Sequence, residues 1–139
     1  MSEEPFNKDE PPDSFGVIKP LGHVVIAFER LDNLREANEA LRALGFGDME
    51  LVRYSADEMK KQLDEQLQSA TGVADLGYEI VLARHHRRLA DLGCEWLIVH
   101  APQEDRSAQV ADVARQHGAA LADRYGTLVI EQMLQSPTA

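Results

Sequence analysis

The chain has 139 residues, 44% of them hydrophobic, a single cysteine and a formal net charge of −10. That length suits one domain with a core of its own, and that hydrophobic content is ordinary for a globular protein in water. The charge opposes general binding to nucleic acid or an anionic membrane, because phosphate contacts need lysine and arginine. No apolar run approaches the roughly 20 residues of a membrane span, and Cys94, alone, forms no intrachain disulfide.

Residues 1–20 hold Glu3, Glu4, Asp9, Glu10 and Asp13 against Lys8 and Lys19, punctuated by Pro5, Pro11, Pro12 and Pro20. Such a segment buries too little apolar surface to order itself, and it reads as a disordered acidic leader. Its start has neither the basic nor the apolar region of a signal peptide. With one cysteine, a cytoplasmic location is the simplest expectation. A single α+β domain is expected over residues 21–134, with a frayed tail at 135–139.

The first strand, about 22–29, and a later one, about 94–101, are apolar at nearly every position, as central strands are. Between them, about 32–44 reads as a helix with Leu34, Ala37, Leu41 and Leu44 on one side, Asp32 as its N-cap and Gly45 as its stop. A more polar strand follows at about 48–54. Residues 55–92 then form an insertion of two helices. Ser55 and Glu58 make a capping box at the start of the first, whose stripe is Met59, Leu63, Leu67 and Ala70. The second, about 78–92, places Tyr78, Leu82, His85, Leu89 and Leu92 along a seam. A helix at about 105–117, ending at Gly118, carries Val110, Val113 and Ala114. A polar outer strand at about 119–125 follows, and Thr127–Glu131 suits a fifth strand or a short helix, its β-branched residues favouring the strand.

The stretch from His23 to Gly45 and the stretch from Trp96 to Gly118 repeat one pattern without gaps, sharing Asp32/Asp105, Arg42/Arg115 and Gly45/Gly118. Two βαβ halves imply a ferredoxin-like βαβ–βαβ sandwich, here with a two-helix hairpin inserted between the halves. The two apolar strands are expected to be parallel neighbours at its centre, their carboxyl ends side by side.

Val24-Val25-Ile26-Ala27-Phe28, the small-residue stretch 69–77 and Tyr125-Gly126-Thr127-Leu128-Val129-Ile130-Glu131 carry a resemblance over residues 22–134. The layout resembles the bacterial heat-induced or general stress protein domain family. The resemblance implies two strand-helix-strand halves joined by a Gly/Ala-rich helical segment, and a stress association. It implies no established activity, so no catalytic residue is carried over.

Strand alternation puts Trp96, Ile98 and His100 on one face, with His23, Val25 and Ala27 aligned to them by the repeat. This face is too apolar to be left wet. The inserted helices, a second subunit or a ligand should cover it. The candidate ligand or interface residues are therefore His23, Val25, Trp96, Ile98 and His100 on the sheet, and Tyr78, Leu82, His85 and Leu89 on the hairpin.

The chain shows no catalytic motif, no cofactor motif and no metal spacing: adjacent His85 and His86 point about 100° apart on a helix, so they do not chelate one ion. The basic run Arg84-His85-His86-Arg87-Arg88 reads as a solvated helix face paired to acids such as Asp91. The preferred reading is a non-catalytic, homo-oligomeric protein acting through protein interaction or small-ligand sensing. Its alternatives are a metal protein or small enzyme centred on His100, His23 and the helical histidines, a hydrolase pairing His100 with Asp105, and an RNA-binding module, which the charge disfavours.

Overall fold

The computed structural model describes residues 13–14, 17–18, 22–69, 77–125 and 130–134, and side chains within 22–65, 84–125 and 130–134. The expected tail at 135–139 and most of the expected leader lie outside the described residues. Within that leader, β1 (Asp13–Ser14) pairs antiparallel with β2 (Val17–Ile18), and β2 lies near the second helix. At least these four residues are strand, which the disordered-leader reading did not foresee.

The remaining elements run β3 (His23–Phe28), α1 (Leu31–Ala43), β4 (Leu51–Tyr54), α2 (Ala56–Ser69), α3 (Gly77–Asp91), β5 (Glu95–His100), α4 (Glu104–Gln116), β6 (Leu121–Tyr125) and β7 (Ile130–Gln132). A 3-10 turn, Asp48–Glu50, leads into β4. Mixed helix and sheet make this an α+β chain. Its five-stranded sheet has the order β4-β5-β3-β6-β7 with every neighbouring pair antiparallel.

The two apolar strands, β3 and β5, are central neighbours, but antiparallel rather than parallel. The reason lies in how the halves interleave. Each half is a right-sized β-α-β crossover whose two strands run the same way: β3 with β4, and β5 with β6. Each crossover skips one place in the sheet, and the other half's apolar strand fills it. The parallel partners are thus never adjacent. A second difference is that β6 is internal, flanked by β3 and β7, so the outer strands are β4 and β7.

Alternation sorts the strand residues onto two faces. Val24, Ile26 and Phe28 lie with Leu97, Val99 and Ala122 in one buried cluster, against Leu34, Ala37 and Leu41 of α1 and Val110, Val113 and Ala114 of α4. Val25 and Ala27 lie with Trp96, Ile98 and Leu121 in the other, against Met59 and Leu63 of α2 and Leu89 and Ala90 of α3. The inserted helices therefore cover the second face from within the chain, and the open face no longer argues for a second subunit.

Helix boundaries follow local chemistry. α1 begins one residue earlier than expected, so Asp32 sits inside its first turn, where it complements the helix dipole, and Arg30 is an N-cap without a side-chain bond. At its end Gly45 (φ 102°) donates to the Arg42 carbonyl at 3.0 Å and Phe46 to that of Leu41 at 3.1 Å, a Schellman closure that turns Phe46 back onto Leu41. Gly118 (φ 70°) ends α4 the same way, with Ala119 bonded to the Ala114 carbonyl at 2.9 Å. The expected capping box is present: the Glu58 amide donates to Ser55 Oγ at 3.1 Å, and the Ser55 amide donates to Glu58 Oε1 at 2.9 Å. Glu95 holds the hairpin's root, accepting from Arg53 at 2.9 Å and from the Ala56 amide at 3.3 Å.

Within the hairpin, Arg87 of α3 donates to Asp64 of α2 at 2.8 Å and also pairs with Asp91 on its own helix. The Arg87 bond holds the Asp64 carboxyl below its ordinary range, and the two acids raise the guanidinium further. This exposed link adds little stability. The packing of Met59 and Leu63 beneath it carries the docking. Leu63→Ala should cost about 2–5 kcal/mol in urea unfolding, with the mass by light scattering unchanged from wild type. An unfolding midpoint like that of wild type would mean the hairpin does not hold the sheet.

Candidate functional site

Antiparallel register lines up side chains in rows across the sheet. One row runs Tyr54, Trp96, Ala27, Leu121; the next Val52, Ile98, Val25, Asp123; the last His100, His23, Tyr125, Ile130. Continuing the β4–β5 register by one residue puts Glu50 opposite His100. The rows change from apolar to polar along the strands. The last row is therefore where chemistry collects, at the end of the sheet where β5 finishes and β3 begins. Gly22 secures this end, donating to the Tyr125 carbonyl and accepting from the Ala101 amide, both at 2.9 Å.

His23 and His100 are buried, with ring centroids 4.8 Å apart. His100 is 9% exposed, and neither of its ring nitrogens has a hydrogen-bond partner among the described residues. The nearest carboxylate oxygen is Glu50 Oε2, 3.9 Å from Nδ1. That separation is an ion-pair distance, too long for a hydrogen bond. Glu50 Oε1 accepts from the Gly47 amide at 2.8 Å, which anchors the carboxylate, and its second oxygen is the one nearer the imidazole.

His100 and Glu50 line a pocket of about 210 Å³ together with Phe46, Ala101, Pro102, Gln103 and Arg106. Three elements build it: the Schellman turn after α1 brings Phe46, the 3-10 turn brings Glu50, and the β5–α4 junction brings the rest. Arg106 stacks on the Phe46 ring, its guanidinium carbon 4.0 Å from the centroid. Its Nη1 donates to the Leu44 carbonyl at 3.0 Å and to Gln109 Oε1 at 2.8 Å. Asp105, expected to pair with His100, does not line this pocket; its Oδ1 accepts from the Arg106 amide at 2.9 Å.

The other candidate residues fare differently. Val25, Trp96 and Ile98 are at most 4% exposed beneath α2 and α3, so they are core and present no face to a ligand. Leu89 is half-buried against the same cluster. Tyr78 and Leu82 lie on α3, with side chains outside the described residues. His85 is exposed, and so is Leu92 at 73%, because α3 turns His86 inward instead. The seam spacing located the helix but misjudged its rotation by about one residue, roughly 100°. Of the basic run, Arg84, His85 and Arg88 face outward, and Arg87 is paired with Asp91 as expected.

His86 makes the second polar feature. Its Nε2 lies 3.1 Å from Asp123 Oδ2, both residues buried, with the imidazole tilted against Trp96 at a centroid distance of 5.3 Å. Asp123 shares its face with Leu121 and Tyr125, so alternation in β6 carried a signal: a carboxylate on an inward stripe. Its partner was not legible, since residues 86 and 123 meet only through the sheet order. This pair lies inside the hairpin's contact with the sheet, away from the residues that line the pocket.

Cys94, at the start of β5, is buried, as a small hydrophobe should be. Burial first, then the charges of Glu29 and Glu95, push its thiol above the ordinary value, which suppresses the reactive thiolate. Among the described residues, no three His, Cys, Asp or Glu side chains gather as a metal-binding group, and no helix is long and apolar enough to cross a membrane. The chain matches no protein-family model, no curated protein and no solved structure.

The His86–Asp123 pair gives a direct test of how α3 is held. Removing either partner leaves the other buried and unpaired, which costs about 3–5 kcal/mol. His86→Leu and Asp123→Leu should each lose about that much by urea unfolding, and the double variant should lose less than the two losses added. Additive losses would show that the two groups do not interact.

Proposed function

We propose that this chain is a non-catalytic, small-ligand-sensing α+β protein whose binding site is the pocket around His100. One observation carries the reading: an imidazole buried to nine-tenths lines that pocket with both nitrogens unpartnered among the described residues. A buried polar atom left without a partner costs about 1–3 kcal/mol, a cost that a polar ligand would remove. The surroundings favour binding over turnover. Among the described residues lining the pocket there is no serine, cysteine or lysine to act as a nucleophile, and the carboxylate closest to His100 is held by a backbone amide.

The ferredoxin-like architecture supports the same reading. The order β4-β5-β3-β6, with α1 and α4 on one face, is that of two interleaved βαβ halves, and β7 and the α2–α3 hairpin are additions. In a two-layer sandwich the second face would be free to bind. Here the hairpin occupies it, and the open end of the sheet is what remains. The resemblance to the heat-induced stress protein family suggests a stress-associated setting for the sensor.

The test is a screen of small polar compounds against ¹⁵N-labelled protein by NMR. Binding compounds should shift the amides of 46–50 and 100–107 saturably and be recovered unchanged. Compounds that bind elsewhere, or a screen without any binder at these amides, would overturn the reading.

A further inference from the structure

We infer that the pocket takes a small monocarboxylate with an apolar body, bound through Arg106, the first turn of α4 and His100; this rests on the pocket being the binding site. Three independent observations meet there. The first is the helix. α4 begins at the pocket with Gln103 as an N-cap that makes no side-chain bond. The amides of Glu104 and Asp105 precede the intrahelical ladder, and a helix start with free amides attracts an anion.

The second is Arg106. Of the nine other described arginines, six, Arg30, Arg42, Arg53, Arg87, Arg115 and Arg124, pair with a carboxylate, and Arg35, Arg84 and Arg88 stand exposed on the surface. Arg106 is half-buried, has no carboxylate partner among the described residues, and is held in place by neutral groups alone: the Leu44 carbonyl, Gln109 and the Phe46 ring. In a chain with 24 acids and 14 basic residues, a fixed guanidinium without a carboxylate is a receptor for one supplied from outside. The third is His100, a pocket-lining residue nine-tenths buried, whose two ring nitrogens are themselves buried and have no hydrogen-bond partner among the described residues.

The size and charge of the site narrow the class. A volume of about 210 Å³ falls below the roughly 300–1,000 Å³ of pockets that take drug-sized ligands, so the site suits a smaller molecule. Phe46, Ala101 and Pro102 supply an apolar wall. Glu50 lines the same space, and Glu104 and Asp105 stand exposed at the helix start. These acids repel a dianion such as phosphate more strongly than a single carboxylate.

The experiment titrates ¹⁵N-labelled full-length protein with butyrate and, separately, with its neutral analogue butyramide. Butyrate should shift the amides of Gln103–Arg106 saturably, butyramide should not, and Arg106→Gln should weaken butyrate binding about tenfold or more. Arg106 is half-buried, so the thermal melt of the variant serves as the folding control. Equal shifts from butyramide, or undiminished binding to Arg106→Gln, would overturn the carboxylate assignment and leave the pocket standing as a site for neutral molecules. Absence of any shift with butyrate would overturn the assignment as well, and the broader compound screen decides separately whether the pocket binds.

Discussion

Burial of the Trp96 face beneath the α2–α3 hairpin is the contact on which the other features rest. β3 and β5 are apolar on both sides, so a sheet built on them needs two covers. α1 and α4 supply one as a by-product of the two crossovers. The other face has no such supply, and Trp96, Val25, Ile98 and Tyr125 would stand in water without the inserted helices. Burial of a side chain of this size contributes about 1.5–3 kcal/mol. Several together make a term comparable with the whole stability of a small domain. The hairpin is thus part of the core, although a minimal two-half fold has no place for it.

That cover also determines where polar chemistry can sit. His86 and Asp123 are sealed inside it, where a matched pair costs little and an unmatched group would cost a great deal. The polar row at the end of the sheet escapes it, because α4 starts there and the turns after α1 run past. Phe46 and Glu50, from the turns between α1 and β4, meet His100 and Arg106, from the β5–α4 junction, only at this corner. The site is a consequence of the interleaved halves: antiparallel pairing puts the start of β3 beside the end of β5, so the His23 and His100 rings meet at a tilt. Parallel strands would have set His23 beside Trp96.

Much of the local structure could be read from the residues, since local rules decide it. The capping box at Ser55 and Glu58, the glycine closures at Gly45 and Gly118 and the division of each central strand into two faces all depend on neighbours within a few positions. What depended on distant partners was less legible. Strand direction follows from crossovers, which spacing along one strand does not reveal. The rotation of α3 hinged on whether His85 or His86 meets an acid on β6, and both fit the stripe about equally. Of the pocket, His100 was singled out, but its carboxylate neighbour was taken from nearby in sequence, Asp105, when the register supplies Glu50. Phe46 and Arg106 carried no motif at all; the contact between them spans two halves of the repeat.

Trp96 is the only tryptophan in the chain, and its burial reports directly on the cover that organises the fold. The decisive measurement is acrylamide quenching of its fluorescence across a wide range of protein concentration. Cover from within the chain predicts blue-shifted emission and weak quenching that stay constant on dilution, rising to the unfolded level only in denaturant. Emission that turns red and quenches readily in native buffer, or does so only when the protein is diluted, would contradict it: the first would mean an open face, the second a face closed by another subunit.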